Sequence, residues 1–358
     1  MLRSVILIIS DAVDGHARLV HRRLLEKGAE SAIFDVGEVP ARANLSAWVA
    51  PGRAPRLQVR REREPTLLDL GKVDTLWFRR LNELAASPDM PPEDQEFAKN
   101  ESVAMLHSLE VLLADRFWVN PVTAALATDG GNGKIGHLEL ARGLGLAVPR
   151  TLATNDPDEA RAFVSECAAA GSGAIYKPFR SPVRTRKDED DREQPAAIFT
   201  TRLDASALEK LDGVRHAPCI FQELVPKRLE LRVTVMGNKV FACEIHSQVR
   251  VESAVDFRRD QGMASTPHAP HDLPREIADA LLALHARLGL VYGADDLILT
   301  PDGRYVFLEV NQQGQFLWLE ELAGLPLLEN FTEMLIQGRP DFSCDAPAHE
   351  PRPFPPLD

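Results

Sequence analysis

The fold class predicted here is a mixture of α/β and α+β lobes, and three stretches predict it. Residues 4–9 (SVILII), 16–27 and 31–36 (SAIFDV) read as strand, helix and strand, the opening of a small doubly wound N-terminal lobe. CIFQELV, ELRVTVMG and KVFACEIHSQV, from residue 219 onward, read as consecutive strands with Gly237-Asn238 as a hairpin turn. GADDLILT and RYVFLEV are two more strands, joined by the turn Pro301-Asp302-Gly303.

The remaining elements follow in order. Leu19, Val20, Leu24 and Leu25 give the first helix its apolar spacing, and Gly28 stops it. Residues 51–65 (PGRAPRLQVRREREP) are Arg-rich and Pro-bounded, which predicts a loop or an exposed hairpin. DTLWFRR (74–80) is a strand, and 93–117 reads as one long helix. A second section starts near Pro121, with a helix, a Gly turn and an extended Pro segment over 133–152 and a helix over 156–170 whose start, DPDEA, is acidic. GAIYKPF (173–179) is a strand ending in lysine, and the charged, Pro-flanked run 181–195 predicts a mobile loop. Residues 274–289 form an amphipathic helix ended by Gly289, and the tail APAHEPRPFPPLD is irregular. The expected domains are 1–120, 121–218 and 219–342, with a Pro-rich tail over 343–358.

At 358 residues the chain is too long for one average core. Its 44% hydrophobic and 26% charged residues match a soluble globular protein, and a net charge of −12 argues against a general nucleic-acid binder. The four cysteines are far apart, which argues against a disulfide framework or structural zinc site and fits a reducing cytosol. The apolar start is too short for a signal peptide, and no run of eighteen apolar residues suggests a membrane. A cytoplasmic location is expected.

Chemistry concentrates late in the chain. Glu309 and Asn311 lie two residues apart on a strand and so share a face. Asp296 lies on the preceding strand, where antiparallel pairing can bring it close to both. Two carboxylates and an amide oxygen suit a hard cation, Mg²⁺ above all, held beside phosphate oxygens; an ordinary acidic strand end is the alternative. Lys134 opens a helix after DGGNGK, and Lys177 ends an apolar strand; each is a phosphate ligand or a surface residue. DGGNGK superficially resembles a P-loop, but Ile135 replaces the hydroxyl that would hold Mg²⁺, and no strong strand precedes it. In FQELVPKRLELRV (221–233), a strand runs into Gln222-Glu223-Leu224 and a short link reaches Glu230. That segment is a hinge for an adenine edge with an acid for ribose hydroxyls, or simply two core strands.

Together, Lys134, Lys177, Gln222-Glu223-Leu224, Glu230, Asp296 and Glu309-x-Asn311 resemble the ATP-grasp fold, in which two α+β lobes clamp ATP behind a doubly wound pre-ATP-grasp lobe. The thirteen-residue step from Asp296 to Glu309 and the seven-residue step from Glu223 to Glu230 match its D-alanine ligase type. The resemblance implies that the two lysines contact phosphates, the hinge reads adenine, Glu230 binds ribose, and Asp296, Glu309 and Asn311 hold Mg²⁺. More narrowly, LWFRR, FQELVPKRLELRVTV, VDFRRD, the NDPDEARAF helix start and YGADDLILTPDGRYVFLEVNQQGQFLWLEELAGLPL are similar to the graspetide macrocyclases. These microviridin-type ligases join Asp or Glu side chains of a ribosomal precursor peptide to Ser, Thr or Lys side chains. The resemblance covers roughly residues 3–340 and implies a peptide substrate and a homodimer. Gln312 stands where the family usually has proline, and the lysine at 134 sits in an unusually glycine-rich run.

Other charged groups have two readings each. Arg232 and Arg258, with Arg259 next, either stabilise phosphate and acyl phosphate or form structural ion pairs. Arg79 and Arg80 either meet an acidic peptide or are salt-bridged within the fold. Asp188, Glu189, Asp190 and Asp191 either attract a basic residue of a leader peptide or are simply solvated. His268-x-x-His271 lies in an expected loop with no carboxylate arrangement to make a metal site. Three functions are compatible with these residues: a peptide macrocyclase, a ligase acting on a free amino acid or protein terminus, and a non-catalytic ATP- or peptide-binding module. An intact set of lysines, hinge and metal residues disfavours the last.

Overall fold

In a computed structural model, the described residues are 5–53, 55–61, 67–80, 84–128, 133–179, 183–187, 193–197, 200–249 and 266–355. The chain opens with β1 (Val5–Ile9), α1 (Gly15–Glu26) and β2 (Glu30–Phe34). An antiparallel insertion follows: β3 (Ala43–Trp48), β4 (Arg56–Arg61) and β5 (Leu67–Asp69). Next come β6 (Val73–Phe78), α2 (Pro92–Leu112), β7 (Phe117–Val119) and α3 (Val122–Thr128). The sheet order β2-β1-β6-β7 is entirely parallel. Alternation decides its two faces: Leu7, Ile9, Leu76 and Phe78 pack with Leu109 of α2 and with Leu57 and Val59 of β4, while Ile6, Ile8 and Trp77 pack with α1. This is the expected doubly wound lobe, with two differences. The Arg-rich run 51–65 contains a central strand of its own small sheet, because Leu57 and Val59 alternate inward between exposed arginines. The helix expected to reach 117 ends at Leu112, and Phe117-Trp118-Val119 adds a strand, since Trp118 and Val119 are buried against β6.

The middle of the chain holds α4 (Lys134–Gly143), β8 (Thr151–Thr154), α5 (Pro157–Ala169) and β9 (Gly173–Lys177). It continues with β10 (Val183–Lys187), β11 (Glu193–Ala197), β12 (Thr201–Arg202), α6 (Ala205–Leu208) and β13 (Cys219–Leu224). Helix α5 starts where DPDEA predicts: Asp156 accepts from Asp158 N at 2.8 Å and Pro157 occupies the first turn. The order β12-β9-β13-β8 is antiparallel. Strands β10 and β11 pair antiparallel, which corrects the expectation of a loop for 183–187 and 193–195; the rest of the run 181–195 lies outside the described residues. Asp188, Glu189, Asp190 and Asp191 lie outside the described residues.

The last section contains β14 (Leu229–Met236), β15 (Lys239–Ile245), β16 (His268–His271), α7 (Arg275–Leu288), β17 (Tyr292–Leu299) and β18 (Tyr305–Asn311). Helices α8 (Leu317–Ala323) and α9 (Leu327–Gln337) close it. The five-stranded antiparallel sheet runs β16-β15-β14-β17-β18. One face packs on α4 and α7 through Leu231, Val233, Leu297, Phe307, Leu281 and Leu284. Strand β16 falls where a loop is expected: it pairs with β15, and His271 Nδ1 meets Glu244 Oε1 at 2.7 Å. Helices α8 and α9 pack against α1 and Trp77, so the last section shares a core with the first. The tail after Phe342 has no helix or strand through residue 355, yet it is tied down: Lys239 Nζ donates to Cys344 O (2.6 Å), and His349 N to Gly324 O (2.9 Å).

Asn120, just after β7, is the strongest single tie between these sections. Its buried carboxamide donates to Tyr292 O (2.8 Å) and Gln312 O (3.1 Å) and accepts from Val291 N (2.7 Å) and Tyr292 N (2.8 Å). An Asn120→Ala change strands three buried backbone groups and a half-buried one and is expected to cost about 3 kcal/mol or more, given roughly 1–3 kcal/mol for each orphaned group. Equilibrium chemical denaturation measures this; an unchanged midpoint would contradict it.

Candidate active site

The turn at Pro301-Asp302-Gly303 leads into the pairing of Leu299 with Tyr305, a one-residue register shift follows between Leu297 and Asp296, and the result is a row of charges. Arg232 of β14 lies opposite Asp296 of β17, which lies opposite Glu309 of β18. Directly opposed residues of antiparallel strands point to the same face. Arg232 Nη1 bonds Asp296 Oδ1 at 2.8 Å, and Lys134 Nζ, arriving from the first turn of α4, lies 3.3 Å from Glu309 Oε2. The next row places Ala294 opposite Asn311. The expected meeting of Asp296, Glu309 and Asn311 on one surface is therefore present, with a register shift just after Asp296.

The acid pair Asp295-Asp296 is split by strand alternation. Asp295 points into the core, where His285 Nε2 of α7 meets its Oδ2 at 3.0 Å, while Asp296 faces the row of charges. Burial alone would lower the Arg232 pKa, but the Asp296 charge and hydrogen bond outweigh it and hold the guanidinium above its ordinary range. Gly314 is fitted to this contact. An added Cβ would lie 2.6 Å from Arg232 Nη2 and 2.4 Å from Ala294 Cβ, so a side chain there would displace the arginine.

One row the other way, Glu230 is buried and held by Ser247 Oγ (2.7 Å) and Lys227 Nζ (3.1 Å); its pKa is raised, burial outweighing the lysine. Beside it Val225, Ile298, Val306 and Leu308 form a separate small apolar cluster. Sequence reasoning missed this patch, although Ile298 stands two residues after Asp296 and so shares its face. Gln222 is buried, donating to Thr151 Oγ1 (2.9 Å), and Glu223 pairs with Arg150 (2.7 Å). Both sit within β13, whose pairing with β8 ends at Glu223 N–Arg150 O. Lys177 ends β9 opposite Ile220 and is buried.

Two expected substrate arginines behave differently. Arg79 is buried, paired with Asp14 at 3.5 Å and bonded to Gln313 O at 2.6 Å, the salt-bridged arrangement that is one of its two readings; Arg80 is exposed. Arg258 and Arg259 lie outside the described residues. Among the described residues no three His, Cys, Asp or Glu side chains are grouped to hold a metal. The oxygen donors of Asp296, Glu309 and Asn311 suit Mg²⁺ only if phosphate oxygens or water complete its shell. Among those residues no helix is long and apolar enough to cross a membrane.

Beside the row, His16 of α1 accepts from Phe316 N and Leu317 N (both 3.2 Å) at the start of α8. Its pKa is pushed down to about 4, first by burial and then by Arg79. A folded value below the ordinary 6.5 means that the unfolded chain binds the proton more tightly. Stability from this group is therefore complete above pH 6.5 and falls as pH drops toward 4, by up to about 3 kcal/mol. His16→Gln keeps an acceptor but does not titrate, and should lose less stability than the native chain between pH 7 and pH 4 in denaturation experiments.

Comparison with known proteins agrees with this fold. The family model for the MvdD pre-ATP grasp domain matches residues 5–125. No curated protein matches the chain. Among solved structures, the macrocyclase MdnC bound with precursor peptide MdnA from Microcystis aeruginosa MRC is 28% identical, with a TM-score of 0.77 over 93% of this chain and 99% of that one. A Chryseobacterium gregarium RiPP-associated ATP-grasp ligase, in complex with ADP and a leader and core peptide, is 26% identical, with a TM-score of 0.82 over 93% and 97%. The macrocyclase MdnB from the same Microcystis strain is 28% identical, with a TM-score of 0.73 over 94% and 100%. With the predicted acids assembled on the predicted strands, and with likeness along nearly the whole chain, this protein is an ATP-grasp, ADP-forming ligase that resembles the graspetide macrocyclases.

Proposed function

We propose that the chain is an ATP- and Mg²⁺-dependent peptide macrocyclase acting on a ribosomal precursor peptide. The observation that carries this is the row Arg232–Asp296–Glu309 with Lys134 set against it. In this reading residues 1–120 are the pre-ATP-grasp domain, 121–218 and 219–342 clamp ATP, and the protein works in the cytoplasm as a homodimer.

A carboxylate is a poor electrophile, so γ-phosphoryl transfer from ATP to an Asp or Glu side chain makes an acyl phosphate. A Ser or Thr hydroxyl or a Lys amine then attacks it, expelling phosphate and leaving an ester or amide crosslink. Bound Mg²⁺ would offset charge on the transferring group. The chain's own residues supply the rest. Lys134 and Lys177 place positive charge at the phosphates. Arg232, fixed by Asp296, presents a preorganised cation toward the developing negative charge, where fixed dipoles and charges contribute most. The apolar patch of Val225, Ile298, Val306 and Leu308 offers a purine a flat face, with backbone groups after Glu223 reading its edge and Glu230 the ribose. The acceptor's position in the cleft supplies further rate by proximity.

The test is ADP release with an acidic, Ser/Thr-rich peptide encoded beside this gene. The expected result is peptide-stimulated release from ATP and little from GTP. Stimulation by free amino acids instead would favour a small-molecule or terminus ligase, and no ADP under any condition would favour a binding module.

A further inference from the structure

The short segment after Asn311 is held largely by side chains of the N-terminal section. Buried Arg79, at the end of β6, donates from Nη1 to Gln313 O (2.6 Å), and its Nη2 pairs with Asp14, the cap of α1. Asn120 holds Gln312 O, and the buried Gln312 side chain donates back to Ala125 O of α3 (3.0 Å). The Tyr292 hydroxyl donates to Gly314 O, and His16 accepts from Phe316 N. Residues 312, 313, 314 and 316 are thus each bonded to a side chain from another part of the chain. Gln313 matters most: its N–H donates to Asn311 Oδ1 at 3.1 Å. The residue that Arg79 holds by its carbonyl therefore orients, by its amide, the carboxamide oxygen of Asn311.

We propose that Arg79 is a positioning residue for the divalent-cation site, acting through Gln313 on Asn311, with Gln312 as a second anchor. The N-terminal lobe then controls the cation affinity of a site built on β17 and β18. This rests on the reading of Asp296, Glu309 and Asn311 as the cation ligands. Groups that orient ligands in this way commonly change metal affinity by about 10–100-fold when removed. Gln312 adds a tie that proline at the same place could not make, since its side chain reaches the Ala125 carbonyl.

The test is Mn²⁺ titration of the full chain saturated with a non-hydrolysable ATP analogue, following free Mn²⁺ by electron paramagnetic resonance. This reads binding without turnover. Arg79→Met is expected to weaken Mn²⁺ by about tenfold with peptide affinity unchanged, the low end for loss of an orienting group. Arg79→Lys, which keeps the charge and a donor, should recover most of that loss. Gln312→Met should weaken Mn²⁺ in the same direction by a smaller factor, and it carries the test if Arg79→Met does not fold. Unchanged Mn²⁺ affinity in the folded variant, with the native chain binding, overturns the proposal alone. No Mn²⁺ binding by the native chain overturns the cation-site reading and this proposal with it.

Discussion

Glu309→Gln is expected to abolish turnover while leaving the fold and peptide binding in place. The substitution preserves shape and removes only the charge that meets Lys134 and lies opposite Asp296. Both side chains of the Lys134 pair are only about a fifth exposed, so leaving Lys134 without its partner costs about 1–2 kcal/mol, less than the roughly 3–5 kcal/mol of a fully buried pair and too little to unfold the chain. The chemical step should suffer far more, by at least about a hundredfold, the scale set by deleting one preorganised group at a charged transition state. Circular dichroism and peptide binding would show an intact protein, and ADP release would show a dead one. Full activity would remove Glu309 from the mechanism.

Arg232→Met should affect both stability and activity, and a cycle separates the two. The guanidinium is buried and its partner Asp296 partly so, at 9% and 22% side-chain exposure. Removing the cation leaves a carboxylate with poor solvation, expected to cost about 2–3 kcal/mol, less than the roughly 3–5 kcal/mol of a fully buried pair. Adding Asp296→Asn removes the stranded charge, so the double variant should be more stable than the sum of the single changes predicts. Activity should stay lost in all three. Strictly additive stabilities would mean that the 2.8 Å pair carries no coupling in solution.

The residues that were legible in the sequence are those whose spacing follows from one local rule. A short turn between two apolar strands brings Asp296 near Glu309, a one-residue register shift after Asp296 sets the two opposite each other, and period-two alternation then puts Asn311 on the same face. Lys134 was legible as a helix opener but not as a neighbour of Glu309, because that contact spans 175 positions and depends on how α4 packs on β18. Arg79 stayed open between its two readings for a related reason. Two arginines at a strand end look alike, and only the arrival of Gln313 from the far end of the chain decides that Arg79 is buried and Arg80 is not. Asn120 gave no signal at all, since its four bonds go to backbone groups of residues 291, 292 and 312. The pairing of β10 with β11 was hidden by composition: a charged sequence flanked by prolines looks like a loop, yet pairing needs only backbone groups.

The most direct test of the macrocyclase reading is tandem mass spectrometry of the acidic, Ser/Thr-rich peptide encoded beside this gene, after incubation with the protein, Mg²⁺ and ATP. The account predicts loss of one water per bond, ADP in equal amount, and fragment spectra that place each link between an acidic side chain and a hydroxyl or amine. ADP released in step with a free amino acid joined to a peptide terminus or small molecule, with no internal link formed, would contradict it.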